Sequence, residues 1–220
     1  ICDLVDPPKP IKVEMKTLDK DQSLRLLAAA RGHKWEVLFT IAITTGMRQG
    51  ELLGLRWADI DMERGTISIK RTVKRVGNYG IIETEPKTAK GKRQISLPPF
   101  ILDMLRNHQE KQVALQEIAG EKWQNKGMVF CTEAGGYLEG QRIHKPFKRL
   151  LAAAGLPDIR FHDLRHSAAT LLLAMNEHPK VVQELLGHSN ITTTLNTYSH
   201  VLPSMHKEAM RKMGDLFKGD

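Results

Sequence analysis

Charged side chains occur at places in this sequence where no helical repeat calls for them. Arg48 lies in TGMRQGELLGLRW, directly after a Gly-Met pair and at the start of a predicted helix. A positive charge there opposes the helix dipole. Arg48 is therefore either an ordinary surface residue or a guanidinium that binds an anion beside the N–H groups of the helix N-terminus. Glu51, three residues later, could orient Arg48 or cap the turn.

The segment HDLRHSAAT contains His162, Arg165 and His166. Its two histidines have the i, i+4 spacing of a zinc-binding helix. A metalloprotease would have glutamate directly after the first histidine, where this chain has Asp163, and would need a third ligand. We therefore predict no metal site. The segment is either the capped start of a core helix or an edge that contacts an anion.

Further segments supply a lysine, a histidine and a tyrosine. Lys87 opens a basic turn between two predicted strands in PKTAKGKRQ, and His188 follows Gly187, which should end a helix. Tyr198 lies ten residues after His188 and is one of three tyrosines in the chain. A phenol titrates near pH 10, so a tyrosine nucleophile needs a base or a cationic neighbourhood. Each residue alone is more typical of a surface or packing position.

Mostly helical elements should hold these residues. Asp19 and Gln22 form a capping pair for the first helix, whose apolar stripe is predicted at Leu24, Leu27 and Ala28. Helices are also expected in WEVLFTIAITTG and RQGELLGLRW. Apolar and polar residues then alternate as in strands in GTISIKRTVK and IIETEPKTAKGKRQISL. A short strand is expected in MVFCTEAGGYLEG, and further helices at 100–120, 141–156, 162–176, 178–189, 190–200 and 203–217. The predicted fold class is α+β, mostly helical, with a small antiparallel three-stranded sheet.

The composition is that of a basic globular protein. The 220 residues carry a net charge of +8, with 41% hydrophobic and 26% charged residues, which suits a polyanionic partner. No apolar run approaches the ~20 residues of a membrane helix. Residues 1–16, rich in proline, read as an extended linker, so we interpret the chain as a fragment of a longer protein with something missing upstream. Cys2 and Cys131 are expected to be unpaired thiols in a reducing cytosol.

In this order, the chemical residues resemble the catalytic set of the tyrosine recombinases, the phage integrase family of site-specific DNA recombinases. The resemblance rests on TGMRQGELLGLRW, PKTAKGKRQISLP, FHDLRHSAATLLL and LLGHSNITTTLNTYSHV, and it covers nearly the whole chain from about residue 17. The closing TYSHVLPSMHKEA is most similar to integrases of temperate phages and integrative conjugative elements of Gram-positive bacteria.

The resemblance implies transesterification of DNA without a metal or a cofactor. Tyr198 would be the nucleophile that forms a 3′-phosphotyrosine, and Lys87 the general acid. Arg48, Arg165 and His188 would bind the phosphate, and His162 would accept or position the proton. Glu51 and His166 would support this set. Contacts to the DNA backbone, or alternatively a solvated basic surface, are predicted at Lys70, Arg71, Lys74, Arg75, Lys90, Lys92, Arg93, Lys145, Lys148 and Arg149.

The resemblance also implies an organisation. Residues 1–16 would be a linker from a missing N-terminal DNA-binding region, residues 17–202 the catalytic domain and residues 203–220 a C-terminal helix or tail. The partner would be double-stranded DNA, bound by a tetramer, in the cytoplasm of a bacterial host and associated with the nucleoid. Met205, Ala209, Met213 and Phe217 recur every four residues in the tail, which either packs on its own domain or docks on a neighbouring protomer.

Two other functions fit the same residues. A type IB topoisomerase uses a similar set to nick and relax DNA, although the LGH histidine, the small size and the TYSHV ending favour a recombinase. A DNA-binding module that had lost catalysis would be expected to lack Arg48, Arg165 or Tyr198, and all are present.

Overall fold

The computed structural model of the chain describes residues 16–86, 91–197 and 202–218. Within these ranges the helices are α1 (Lys20–Ala30), α2 (Glu36–Thr45), α3 (Gln49–Leu53), α4 (Pro99–Ala119), α5 (Gln141–Ala153), α6 (Asp163–Ala174), α7 (Pro179–Leu186), α8 (Ile191–Thr197) and α9 (Leu202–Lys218). The strands are β1 (Ile60–Asp61), β2 (Thr66–Ile69), β3 (Thr72–Val76), β4 (Gly80–Thr84) and β5 (Arg93–Ser96). The fold is mostly helical with small antiparallel sheets, as predicted.

The strands form a three-stranded sheet in the order β1-β2-β5 and a separate hairpin of β3 and β4. The predicted strand GTISIKRTVK is divided between the two sheets, because the chain turns at Lys70 and Arg71. Both of these side chains form ion pairs with the buried carboxylate of Asp59. The hairpin ends in a tight turn whose Tyr79 is 86% exposed.

Helix α2 lies at the centre of the core. Leu38, Phe39 and Ile41 on this helix are fully buried. The Phe39 ring centroid lies 5.6 Å from that of Phe147 on α5 and 6.1 Å from that of Phe161, which precedes α6. This aromatic packing holds α2 against the start of α6, and Arg48 and Arg165 lie where the end of α2 meets α6.

The capping residues predicted the start of α1 correctly, but the apolar spacing did not predict its buried face. The capping box of Asp19 and Gln22 is present. Leu26 and Ala30 are the buried apolar residues of α1. Of the predicted stripe, Leu27 packs against the core, but Leu24 and Ala28 are exposed, so the prediction is wrong at these two positions. The cap fixes where a helix begins, but neighbouring elements decide which face it buries.

Two other predictions concern the later part of the chain. MVFCTEAGGYLEG contributes isolated bridges, Arg56 to Met128 and Cys131 to Tyr137, instead of a strand. On α9, Met213 is 46% and Phe217 is 77% exposed, so these two members of the predicted stripe do not bury against their own domain. No helix in the described ranges combines the length and the apolar character that crossing a membrane requires.

Candidate active site

The turn between α2 and α3 presents Arg48. Helix α2 ends at Gly46, whose φ of 63° is in the left-handed region. Arg48 then precedes α3, where its backbone N–H donates to Oε2 of Glu51 at 2.9 Å and its Nη1 donates to Oε1 at 2.8 Å. Glu51 therefore has both roles considered from the sequence, because it caps the turn and orients the guanidinium. The Nη2 of Arg48 donates to the carbonyl of Gly187 at 3.3 Å.

Glu51 is a buried carboxylate between two guanidinium groups. Its side chain is 1% exposed, and it pairs with Arg93 at 3.0 Å as well as with Arg48. Burial opposes its ionisation, but the hydrogen bonds and charge of Arg93 and the hydrogen bonds from Arg48 outweigh burial and hold the pKa of Glu51 below its ordinary value. Glu51 is therefore ionised at neutral pH and offsets part of the local positive charge.

The first turns of α6 bring a second guanidinium to the same place. Arg165 is only 3% exposed, and its Nη1 donates to the carbonyl of Gly46 at 2.8 Å. His162 and His166 lie beside it with ring centroids 5.2 Å apart in an edge-on arrangement. Asp163, the first residue of α6, accepts the backbone N–H of Arg160 at 2.8 Å. The HDLRH segment therefore begins a core helix and groups one arginine with two histidines, whereas its contact with an anion stays a prediction.

His188 comes to this cluster from the end of α7. Gly187 ends the helix in the left-handed conformation, with φ of 68°, as predicted. The Nδ1 of His188 lies 2.9 Å from Oγ1 of Thr194, which is fully buried on α8. The sequence analysis missed Thr194, because three consecutive threonines give no sign of which one faces inward.

All three histidines are electrostatically coupled to the arginines. Burial first, and then the charge of Arg165, lower the pKa values of His162 and His188, and the pKa of His188 falls to about 4. Burial first, and then His162, lower the pKa of His166. These imidazoles are consequently neutral near pH 7, in the form that can accept a proton or donate a single N–H.

A cleft of about 290 Å³ opens in front of Arg48. Its lining includes Gly187 and Ser189 on one side and Thr72, Pro86 and Gly91 on the other. Pro86 and Gly91 flank in sequence the segment that contains Lys87, the predicted general acid. Lys87, Lys90 and Tyr198 themselves lie outside the described residues. Among the described residues, no three His, Cys, Asp or Glu side chains meet in a way that could hold a metal.

The predicted DNA contacts divide into exposed and enclosed side chains. Lys74, Lys145 and Arg149 are exposed. Other exposed candidates share an ion pair with a nearby carboxylate: Lys70 with Asp59, Arg75 with Glu139, Lys92 with Glu85 and Lys148 with Asp158. The side chains of Arg71 and Arg93 are only 18% and 7% exposed, and both bind buried carboxylates. Arg93 in particular has little surface to offer to DNA.

Gly46 should not tolerate a methyl group. A Cβ there would overlap with Leu186 and approach Ala168 to 3.4 Å, and φ is 63°. Gly46→Ala is expected to lower the free energy of unfolding by about 2–4 kcal/mol, the sum of left-handed strain and overpacking. Urea denaturation would measure this loss. Gly120→Ala is the control, because it has a positive φ and nothing within 4 Å. Equal losses in both variants would contradict the predicted clash.

Burial of neutral His188 should make stability depend on pH. Its folded pKa of about 4 lies below the ordinary histidine value of 6.5. Protonation therefore favours the unfolded state, and the stability contributed by His188 is complete above pH 6.5 and is lost as the pH falls towards 4. We expect His188→Gln to lose less stability than the wild type between pH 7 and pH 5 in urea denaturation. Parallel losses in the two proteins would contradict this coupling.

Comparison with known proteins places the chain in a family. The Phage integrase family matches residues 16–205. A tyrosine recombinase XerC-like protein of Caldanaerobacter subterraneus is 38% identical over 96% of this chain and 57% of its own length. The ICEBs1 integrase of Bacillus subtilis is 28% identical over 95% of this chain and 54% of its own length. The chain thus spans a little over half the length of these relatives.

The solved structures show the same fold. The Tn1549 transposon integrase, in complex with transposon right end DNA, superposes with a TM-score of 0.77 and 25% identity over 97% of this chain and 70% of that one. The XerA recombinase superposes with a TM-score of 0.69 and 20% identity over 93% of this chain and 66% of that one. With most of its length matched by the family and a relative above 30% identity, the chain belongs to the phage integrase family of tyrosine recombinases.

Proposed function

We propose that this chain is the catalytic part of a site-specific DNA recombinase that integrates or excises a mobile element. The observation that carries the proposal is the meeting of Arg48, Arg165 and His188 around one turn, where Gly46 and Gly187 accept hydrogen bonds from the two arginines. The DNA bound to the Tn1549 integrase supports DNA as the substrate. In this proposal residues 17–202 are the catalytic domain, 1–16 a linker and 203–220 a tail.

The cationic cluster suits a phosphate that gains negative charge. During attack on a phosphodiester the non-bridging oxygens become more negative, and fixed donors stabilise that charge without a metal ion. Guanidinium groups suit this role because they are planar, always charged and able to bind in a bidentate manner. We assign the Thr194 hydroxyl as the donor to Nδ1 of His188, which leaves the imidazole proton on Nε2 for the phosphate.

The proton transfers follow from the remaining side chains. The Tyr198 phenol oxygen bonds to phosphorus while the bond from phosphorus to O5′ breaks. The phenol proton passes to neutral His162, and Lys87 donates a proton to the leaving O5′. The products are a 3′-phosphotyrosine and a free 5′-hydroxyl. A 5′-hydroxyl from another strand can reverse the step without ATP, because the phosphoester bond is conserved.

The DNA itself would be held by exposed basic side chains. Lys74, Lys145 and Arg149 are the candidates with exposed side chains and no ion pair described here. Phosphate contacts of this kind make binding strongly dependent on salt. We also propose that the protein acts as a tetramer on DNA in the bacterial host, near its nucleoid. The exposed apolar side chains of α9, including Met213 and Phe217, would then dock on a neighbouring protomer.

Covalent trapping tests the proposed function. The protein encoded by the gene is mixed with short duplexes from the DNA that flanks the gene, each nicked so that the released 5′ end diffuses away. We expect a denaturing gel to show protein joined to the 3′ end of the cleaved strand. An adduct on the 5′ end, or none with any duplex, would contradict the proposal. Relaxation of supercoiled DNA without strand exchange between two sites would indicate a topoisomerase instead.

A further inference from the structure

Arg93 makes contacts that suit the interior of the protein better than a DNA surface. It is the first residue of β5, and its side chain is 7% exposed. Its Nη1 and Nη2 donate to the two carboxylate oxygens of Glu51 at 3.2 and 3.0 Å. Its Nε donates to the carbonyl of Leu185 at 2.6 Å, and Nη1 also approaches the carbonyl of Gly91 at 3.4 Å.

Through these bonds Arg93 touches three segments that converge on the cleft. Glu51 holds the backbone N–H and the guanidinium of Arg48 at 2.9 and 2.8 Å. Leu185 belongs to the last turn of α7, three residues before His188. Gly91 and β5 follow Lys87 in the chain. A cleft of about 220 Å³, lined by Lys92, His188 and other residues, lies between β5 and α7 beside Arg93.

Arg93 also affects which hydrogen bonds the carboxylate of Glu51 accepts. Each carboxylate oxygen of Glu51 accepts one bond from Arg48 and one from Arg93. Without Arg93, the carboxylate has lone pairs free, and the Arg48 guanidinium can close on both oxygens. Arg48 would then turn towards Glu51 and lose donors that face the cleft.

We propose that Arg93 is a positioning residue, which holds Arg48 through Glu51 and the His188 loop through Leu185 in register with Gly91 and the start of β5. The role rests on the proposed function, since it concerns the same reaction. Arg93 itself does not touch DNA. The side chain of its neighbour Lys92, by contrast, is 55% exposed and can reach DNA.

The test compares Arg93→Gln, Arg93→Lys and the wild type in single-turnover trapping on the nicked duplexes. Arg93→Gln is expected to cleave up to about 100-fold more slowly, because a misplaced catalytic group costs about that much. Arg93→Lys keeps the positive charge but not the planar guanidinium, so its cleavage rate should be intermediate.

The slope of log DNA affinity against log salt concentration should be unchanged in both variants, whereas loss of a phosphate contact would reduce that slope by about one. Arg106→Gln is the control. Arg106 lies on α4, where its exposed side chain forms an ion pair with the exposed side chain of Asp103.

A second readout needs no DNA. After burial, Arg165, Arg48 and His166, Arg93 also contributes to the low pKa of His188. In an NMR titration, the pKa of His188 should therefore rise in Arg93→Gln and stay low in Arg93→Lys. A wild-type cleavage rate in either folded variant, or a reduced salt slope, would overturn the inference. If Arg93→Gln does not fold, the rate of Arg93→Lys decides. No adduct from the wild type would contradict the proposed function instead, whereas a normal wild-type adduct formed at the same rate by the Arg93 variants would contradict only the role of Arg93.

Discussion

Arg165→Lys is expected to lower the rate of DNA cleavage by about 10²- to 10³-fold, the usual cost of removing one donor that stabilises transition-state charge. The wild-type guanidinium donates through Nη1 to the carbonyl of Gly46 at 2.8 Å, and in the proposed mechanism its planar fork also binds the phosphate. A lysine is a point charge at the end of a flexible stem, so it cannot bind Gly46 and grip two phosphate oxygens together. Single-turnover trapping on the nicked duplexes measures the rate.

Arg160→Lys is the matched control for Arg165→Lys. Arg160 lies just before α6, its side chain is 73% exposed, and it pairs with Asp163. It should cleave DNA at close to the wild-type rate. A similar rate in Arg165→Lys and the wild type would exclude a bidentate role for Arg165. Loss of DNA binding together with cleavage would instead indicate that the substitution disturbs the whole basic surface.

Glu51→Gln should cause the largest loss of stability among single polar substitutions in the site. The carboxylate is 1% exposed and lies between Arg48 and Arg93. Neutralising it leaves two guanidinium groups without their counter-charge, and breaking a buried ion pair costs about 3–5 kcal/mol. The amide keeps one acceptor oxygen, so we expect about 3 kcal/mol in urea denaturation at pH 7.

The pH dependence checks the cause of that loss. Because the folded pKa of Glu51 is lowered, its stabilising effect is complete above the ordinary carboxyl pKa and is lost as the pH falls through the lower folded value. The difference in stability between the wild type and Glu51→Gln should therefore shrink in acid. Glu133→Gln is the control, because its exposed pair with Lys34 should contribute at most about 1 kcal/mol. Equal losses from Glu51→Gln and Glu133→Gln would contradict the role assigned to the buried carboxylate.

Local chemistry made much of the fold predictable. The Asp19 cap and the Gly187 helix end depend on one or two neighbouring residues, and both are present as predicted. The set of Arg48, Arg165 and His188 could be recognised from the order and spacing of its motifs, which resemble those of the tyrosine recombinases, and not from any one residue. What such signals cannot give is the partner of a side chain across the fold.

Arg93 and Thr194 illustrate what the sequence leaves open. In GKRQ, Lys92 and Arg93 look equally suited to DNA, yet adjacent side chains near a strand face opposite ways, and Arg93 turns inward to Glu51. Thr194 is selected from three threonines only by its contact with His188. Likewise, the division of GTISIKRTVK into β2 and β3 depends on Asp59, which holds both Lys70 and Arg71.

The identity of the nucleophile is the most direct test, because the chain has only three tyrosines. The Tyr137 hydroxyl donates to Glu83 at 2.7 Å, and burial and Glu83 raise its pKa, which makes it a poor nucleophile. Tyr79 lies at the exposed hairpin tip, and β3 separates it from the cleft by roughly 15 Å. Single Tyr→Phe variants at 79, 137 and 198 should therefore be compared in the trapping assay. We expect the covalent adduct to disappear only in Tyr198→Phe, with DNA binding retained. An adduct that survives in Tyr198→Phe, or that is lost in one of the other variants alone, would contradict tyrosine transesterification at this site.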